Sequence, residues 1–333
     1  MRLPPYLAEA VEAEIDQVDG ARLTRAAAQI SQRYQAGDFS SPAIANDAHR
    51  AAYLAVRLPA TYAVNARVFS EVHSRSPETE ISSVLDLGAG PGTALFAAAE
   101  AFPTLARATL LEADDSWLSL GKKLAAQSSL IAARQTQWLK QDLRSGFSCD
   151  AHDLVVLSYA LGELGAVAAE AVIRKAWSCA AKLLVVIEPG TPRGFAGVNA
   201  ARTALIAGGA EILAPCPHKH ACPMAAAGDW CHFAQRVERT SRHRQLKGGA
   251  LGYEDEKFSY LVASRKPSET VPPRILRHPG KHSGHVQLEL CMPDGHAERR
   301  TITRSNKQAY RLARKATWGD AWDDANGDVA EKE

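Results

Sequence analysis

Between Val84 and Ile187 short apolar runs alternate with longer alanine-rich stretches of helical character, and few folds accommodate that order. Val84-Leu-Asp86, Thr109-Leu-Leu-Glu112, Leu154-Val-Val-Leu157 and Leu183-Leu-Val-Val-Ile187 are apolar at nearly every position. A strand that shows one face to water alternates in polarity. An unbroken run belongs to a strand covered on both faces, the condition of a parallel sheet flanked by helices. The chain therefore predicts a doubly wound α/β sheet. Its hydrophobic content of 46% is enough to bury the core such a sheet needs.

The first of these strands runs into Asp86-Leu-Gly88-Ala89-Gly90-Pro-Gly92-Thr93, which then opens a helix. Glycines let the backbone approach a ligand closely, and a helix start offers free amides. The fingerprint by itself also serves dinucleotides, so a nicotinamide-binding domain is its rival reading. Three details favour S-adenosylmethionine: the acid directly ahead of the glycines, Glu112 at the end of the second strand, and Gln141-Asp142 at the third. The arrangement resembles the nucleotide-binding half of class I (Rossmann-like) S-adenosylmethionine-dependent methyltransferases. That resemblance implies Glu112 on the ribose hydroxyls and Asp142 near the adenine amine. Asp86, Gly88, Ala89, Gly90 and Gly92 would surround the methionine part, and Ser158 completes the expected cofactor set.

The segment after the fourth strand, Ser158-Tyr159-Ala-Leu-Gly162-Glu163, lacks the Asn or Asp, paired prolines and aromatic with which many enzymes methylate exocyclic base amines. No thiolate nucleophile for base-carbon methylation stands there or at Glu188-Pro189-Gly190. No catalytic residue is assigned, although methyl transfer can proceed largely by proximity and orientation.

Of six cysteines, three fall in one short segment: Cys216-Pro-His218-Lys-His220-Ala-Cys222-Pro, then Trp230-Cys231-His232-Phe233. A fourth partner is best supplied by Cys291, because Cys149 and Cys179 sit inside the sheet-and-helix pattern and read as small core or surface residues. Val286, Leu288 and Leu290 share one face of a strand ahead of the turn Pro293-Asp294-Gly295, so Cys291 faces away from them. Five residues separate Cys216 from Cys222 and eight separate Cys222 from Cys231. Structural zinc sites use tighter pairs, so this spacing suits a [4Fe-4S] cluster better; zinc is the alternative and unmetallated thiols a third reading. His218, His220 and His232 could ligate, but a histidine beside a cysteine is often a hydrogen-bonding neighbour.

The remainder of the chain divides by pattern. We expect an N-terminal helical region at 1–75 and a methyltransferase-like domain at 76–265, with a cysteine-rich metal-binding loop inserted at 214–233. A small basic C-terminal β/α module at 266–320 and an acidic tail at 321–333 follow. Within the domain, the stretch from Gly194 through Ala214 reads as helical and Phe258–Ser264 as a late strand of the same sheet. The net charge is only +2, yet Arg265 to Lys315 holds twelve Lys or Arg against four Asp or Glu. Such a field attracts phosphate backbones or anionic surfaces. No apolar run reaches membrane-spanning length, and the acidic, helix-like start reads as neither a signal peptide nor a mitochondrial presequence. A reducing, cytoplasmic compartment is the expectation for a bacterial chain.

Taken together, Cys216-Pro-His, Cys222-Pro, Trp230-Cys231-His232-Phe233, Glu256-Lys257-Phe258-Ser259, Cys291-Met-Pro-Asp-Gly295 and Trp318-Gly319-Asp320 resemble the mitochondrial small-ribosomal-subunit methyltransferase-like family, that of methyltransferase-like protein 17 and its bacterial relatives. The resemblance implies a factor that docks on an immature small ribosomal subunit and assists rRNA maturation, with a [4Fe-4S] cluster on Cys216, Cys222, Cys231 and Cys291. In a eukaryotic cell it implies the mitochondrial matrix. RNA contact is then expected from Arg236, Arg239, Arg242, Arg244 and Lys247, and from Arg299, Arg300, Arg304, Arg311, Arg314 and Lys315, through phosphates rather than bases. The alternative is a working rRNA methyltransferase with a structural iron-sulfur or zinc site. A monomer on a large RNA particle is the simpler expectation.

Overall fold

A computed structural model describes residues 1–36, 44, 46–128, 130–267 and 271–322. The expected acidic tail lies outside the described residues from 323 onward. The chain opens with α1 (Pro5–Ile15), α2 (Gly20–Ala36), α3 (Asp47–Val56) and α4 (Leu58–Arg75). The alternating unit follows as β1 (Ser83–Leu87), α5 (Thr93–Ala101), β2 (Arg107–Glu112), α6 (Asp115–Ala126), α7 (Ile131–Arg134), β3 (Thr136–Lys140), β4 (His152–Ser158), α8 (Ala166–Cys179), β5 (Ala180–Pro189) and α9 (Pro192–Ala207). Then come β6 (Glu211–Ala214), α10 (Pro223–Ala226), β7 (Phe233–Glu238), α11 (Ser241–Lys247) and β8 (Tyr253–Ser264). The C-terminal part holds β9 (Arg274–Ile275), β10 (Gly280–Lys281), β11 (His285–Cys291), β12 (Ala297–Thr303) and α12 (Lys307–Lys315).

The main sheet has the order β3-β2-β1-β4-β5-β8-β6, with β1 to β5 parallel and β8 reversed against β5. This is the doubly wound α/β sheet that the alternation predicts, in the Rossmann-like methyltransferase arrangement that the resemblance implies. Every residue of β1 is buried, as an unbroken run between two helical layers requires. Helix α4 starts with Pro59 in its first turn, where a fixed φ and a missing N–H cost nothing. It packs on the alanine-rich α5. Leu7, Ile15, Ile30, Leu54 and Phe69 from the first four helices share one core with Val84, Phe96 and Leu154. The N-terminal helices therefore form one cover of the sheet rather than a separate body. Helices α8 and α9 close the other face through Val172, Ile173, Val198 and Leu205. No helix among the described residues is long and apolar enough to cross a membrane.

Two expectations are corrected by the edge of this sheet. The helical reading through Ala214 fails because Gly208 and Gly209, the latter at φ +79°, stop α9. Ile212, Leu213 and Ala214 are then buried beside β8. Strand β7 had no signal in the sequence: its exposure is mixed and half its residues are polar. β6 pairs with Val262–Ser264 of β8 and β7 with Tyr253–Phe258, both antiparallel. The two thus run end to end along the same edge of β8. The cysteine-rich segment, 215–232, springs out where a single edge strand would otherwise continue.

Cys149 and Cys179 are also corrected. They form a disulfide with sulfurs 2.02 Å apart rather than lying as separate small residues. Parallel pairing of β4 with β5 brings the chain just before each strand to the same end of the sheet, so the two cysteines meet although they lie 30 positions apart in sequence.

The C-terminal module is a four-stranded sheet in which β11 pairs with β12, β10 and β9. Val286, Leu288 and Leu290 face a small core with Ile275, Ala309, Ala313 and Trp322. Cys291 points the other way, against Met224, Leu276, Cys222 and Cys231. The expected hairpin turn is present, with Gly295 at φ +94°.

Candidate functional site

The glycine loop lies at the C-terminal edge of β1, where doubly wound sheets take their ligands. Gly88, Gly90 and Gly92 all have positive φ. A Cβ on Gly88 would press on Ala160 and one on Gly92 on Trp138, whereas one on Gly90 would meet nothing within 4 Å. Gly90 therefore bares its backbone to open space while its neighbours are packed from behind, and Ala89 is buried. Glu112 ties the loop to β2: its Oε2 accepts from Gly90 N–H at 2.8 Å and its Oε1 from Asp114 N–H at 2.9 Å. Each oxygen keeps a lone pair for a further donor. Burial raises the Glu112 pKa despite these bonds.

Asp86 is 2% exposed and its Oδ2 has no hydrogen-bond partner. Burial, and then the Glu112 charge, push its pKa up to about 7. An orphaned buried carboxyl beside an open glycine loop is the arrangement that a cationic ligand would complete. Asp142, expected near the adenine amine, stands just after β3. It caps the short turn after β3 and pairs with Arg144 at 2.7 Å, and the hydrogen bonds from Arg144 hold its carboxyl below the usual range.

At the end of β4 the polar groups are only partly satisfied: among the described residues Asn65 Oδ1 and Tyr159 OH are buried without a partner. Ser158 Oγ accepts from Asn65 Nδ2 at 2.9 Å, from a fully buried residue of α4. Glu188 is 3% exposed and accepts from Leu161 N–H at 2.8 Å; burial brings its pKa to about 7. Arg57 forms a two-pronged ion pair with Glu256 at 3.1 and 3.0 Å and lies 5.9 Å over the Tyr159 ring. Asn65, Arg57 and Glu188 carried no signal in the sequence beyond their residue type.

The four free cysteines meet at the seam between the sheet and the C-terminal module. Cys216 follows β6, Cys222 precedes α10, Cys231 leads into β7 and Cys291 ends β11. A cavity lined by Cys216, Cys222, Cys231, Arg202, Pro215 and Tyr260, among others, opens between them. Burial raises the Cys231 thiol well above its ordinary value, and the other three sulfurs add to the effect. Cys216 and Cys291 are raised by burial in the same way. Among the described residues no group of three or more His, Cys, Asp and Glu side chains is drawn together closely enough to hold a metal ion as it stands. His218 is a neighbour of the sulfurs, with Nε2 3.3 Å from Cys291 Sγ. His232 stacks on Trp230, with ring centroids 5.2 Å apart, and meets Trp318 edge to face at 4.7 Å.

Three buried or half-buried arginines frame the seam, and no sequence pattern singles them out. Arg274, 2% exposed, donates to Pro215 O, Gly319 O and Glu71 of α4. Arg277 pairs with Asp229 at 2.7 Å. Arg202 of α9, 5% exposed, donates to His218 O at 2.8 Å.

The expected RNA-contacting residues separate into two groups. Arg239 and Lys247 both pair with the half-buried Glu254, and Arg236 pairs with Asp255, which the β7–β8 register sets directly opposite it. Arg242 pairs with Glu12 and Asp16 of the N-terminal region, and Arg244 bonds Ser241. Arg239 and Lys247 thus hold a shared carboxylate within the fold. In the module Arg299 pairs with Glu289 and Arg300 with Glu298. Arg304 lies 5.8 Å over Tyr310. Arg311, Arg314 and Lys315 are exposed on α12 and form no ion pair among the described residues.

The family model described as mitochondrial small ribosomal subunit Rsm22 matches residues 47–323, most of the chain. The chain belongs to the Rsm22 family. The human ribosome assembly protein METTL17, mitochondrial, is 28% identical over 289 residues, covering 80% of this chain and 61% of that protein. Rsm22-cox11 tandem protein 2 of Schizosaccharomyces pombe is 26% identical over 322 residues, covering 81% and 42%. The ribosome assembly protein RSM22 of Saccharomyces cerevisiae is 26% identical over 178 residues, covering 34% and 28%. The chain thus spans less than two-thirds of the length of these curated relatives. A solved magnesium protoporphyrin IX methyltransferase from Synechocystis PCC 6803 aligns with a TM-score of 0.41 at 16% identity, over 62% of this chain and 80% of that one, which adds nothing to the strand order. Residues that carry the Rsm22-family resemblance lie at the seam: the rings of Trp230, His232 and Trp318 contact one another across it, and Ser259 Oγ donates to Cys231 O at 2.8 Å.

Proposed function

We propose that the chain is an assembly factor for the small ribosomal subunit, built on a methyltransferase fold that binds S-adenosylmethionine. It holds a [4Fe-4S] cluster on Cys216, Cys222, Cys231 and Cys291 and meets small-subunit rRNA through its basic C-terminal module. The observation that carries this reading is the convergence of four otherwise unpaired cysteines on the seam, three from the sheet's interrupted edge and one from the module. A single zinc ion, with bonds of about 2.3 Å, would draw its four sulfurs to about 3.8 Å of one another. Three thiols that border one cavity, with Cys291 packed against two of them and no such group drawn closely enough among the described residues to hold a single ion, suit a larger core. The cluster, when bound, supplies four strong bonds across the seam. The chain's own part is to bring the thiols together, keep water away by burial and offer His218 Nε2 to the Cys291 sulfur.

At the other site S-adenosylmethionine supplies an activated methyl group on a positive sulfur. Gly90 gives it room, Glu112 keeps acceptor capacity for its hydroxyls, and Asp86 offers a buried carboxylate to its positive charges. The internal bonds of Ser158 and Glu188 favour a scaffold over a turning-over enzyme. Methyl incorporation into small-subunit rRNA tests that choice, with Gly90→Arg and Glu112→Ala as controls. The assembly reading expects wild type and both variants to incorporate equally little. Incorporation by the wild type that both variants lose would establish the working methyltransferase instead.

A further inference from the structure

Arg202 stands apart from the other two arginines at the seam. Arg274 and Arg277 each have a carboxylate partner, Glu71 and Asp229. Arg202 is as deeply buried as a core residue, its Nε has no partner, and it forms no ion pair among the described residues. A guanidinium does not shed its proton in a protein, so it cannot escape burial by becoming neutral. A buried charge without a counter-charge destabilises the fold unless something else supplies one. What faces it is sulfur: Arg202 lines the same cavity as Cys216, Cys222 and Cys231, and its Nη2 bonds the carbonyl of His218, whose ring touches Cys291.

We infer that Arg202 is the counter-cation of the four-cysteine centre, an unpaired charge placed in the core so that the centre is complete only when the cysteines are thiolates bound to metal. Four thiolates around a core of charge about +2 leave the centre near −2, whether that core is a cluster or a single zinc ion. Arg202 offsets part of that charge and donates toward the sulfurs. It thereby stabilises the loaded protein and destabilises the empty one. The inference rests on the reading of the cysteines as ligands, but not on which metal they hold. No signal in the sequence separates Arg202 from a surface arginine; it is one basic residue in the alanine-rich run Val198-Asn-Ala-Ala-Arg202-Thr-Ala-Leu-Ile-Ala207.

The test compares full-length wild type, Arg202→Met and Arg202→Lys, each with its metal and after removal of it by chelator. Two quantities are read: the rate of metal release to excess chelator and the melting temperature of the empty form. The expected result is at least tenfold faster release from Arg202→Met, near wild-type release from Arg202→Lys, and an empty Arg202→Met that melts no lower than empty wild type. Opposite effects on loaded and empty protein are the mark of a counter-charge, since a merely structural residue would weaken both. An empty Arg202→Met that melts well below empty wild type, or release that Arg202→Lys does not restore, would overturn the inference. Wild type that binds neither iron nor zinc would instead remove the ligand reading on which it stands.

Discussion

Asp86 sets a pH dependence that can be derived from one carboxyl. Its pKa is lifted to about 7 by burial and by Glu112, so the folded protein holds a proton there that the unfolded chain gives up in the ordinary carboxylate range. The protonated side chain contributes stability that is full at acid pH and is lost as pH rises through about 7. Asp86→Asn should flatten that loss, read as melting temperature against pH between roughly 5 and 8. Binding a sulfonium has the opposite sign, because only the ionised carboxylate attracts it. Below about pH 7 the affinity for S-adenosylmethionine should fall by up to about tenfold per pH unit, and Asp86→Asn should remove the slope. Calorimetric titration at several pH values checks this, and an unchanged slope in Asp86→Asn would locate the dependence elsewhere. The raised Asp86 was half legible in the sequence. The acid ahead of the glycines marked the ligand, while its lack of a partner depends on how β1 is covered on both faces.

The interrupted edge strand is the element that makes the seam. β6 and β7 share one edge of β8, so the cysteine loop is anchored at both ends by sheet hydrogen bonds while its middle is free to meet the module. The turn at Gly295 touches this loop, close enough that a Cβ there would come within 2.8 Å of His220. Cys291→Ser should therefore lose iron and weaken rRNA binding while far-UV circular dichroism shows the main sheet intact; unchanged iron content would contradict the ligand set. Helix α12 makes a second prediction. Arg311 and Arg314 are exposed, so Arg311→Glu combined with Arg314→Glu should weaken rRNA binding without loss of fold. The slope of log affinity against log salt should shrink by roughly one and a half, the share of two phosphate contacts. β1, β2, β4 and β5 were legible because both their faces are largely buried and their runs are nearly unbroken, whereas the edge strand β3 is half exposed and has no such run. β6 and β7 were not, because β6 is a short apolar run that continues the helical pattern of α9 and β7 is a half-exposed strand whose register is dictated by β8. Cys291 could be placed from sequence by alternation alone, since Val286, Leu288 and Leu290 define the opposite face.

Across the whole molecule, body and module are joined by few but buried contacts, and Arg274 is central to them. It reaches Glu71 of the N-terminal helices, Pro215 at the start of the cysteine loop and Gly319 near the end of the described chain. Burial would raise Glu71, yet Arg274 and Arg75 draw its carboxyl down to about 2. Arg274→Met leaves that buried charge with one partner fewer, and should cost about 3–5 kcal/mol in calorimetric unfolding. Nothing in the sequence distinguishes this arginine from the others of the basic C-terminal stretch, because its role comes from three distant segments meeting. The cysteines meet at the same junction, so a bound cluster would close the joint that Arg274 holds by hydrogen bonds. The most direct test is the iron, sulfide and zinc content of protein purified without oxygen, together with its visible spectrum. We predict about four irons and four sulfides per chain with broad absorption near roughly 400 nm. About one zinc and no iron would contradict the cluster and make the four cysteines a structural zinc clamp.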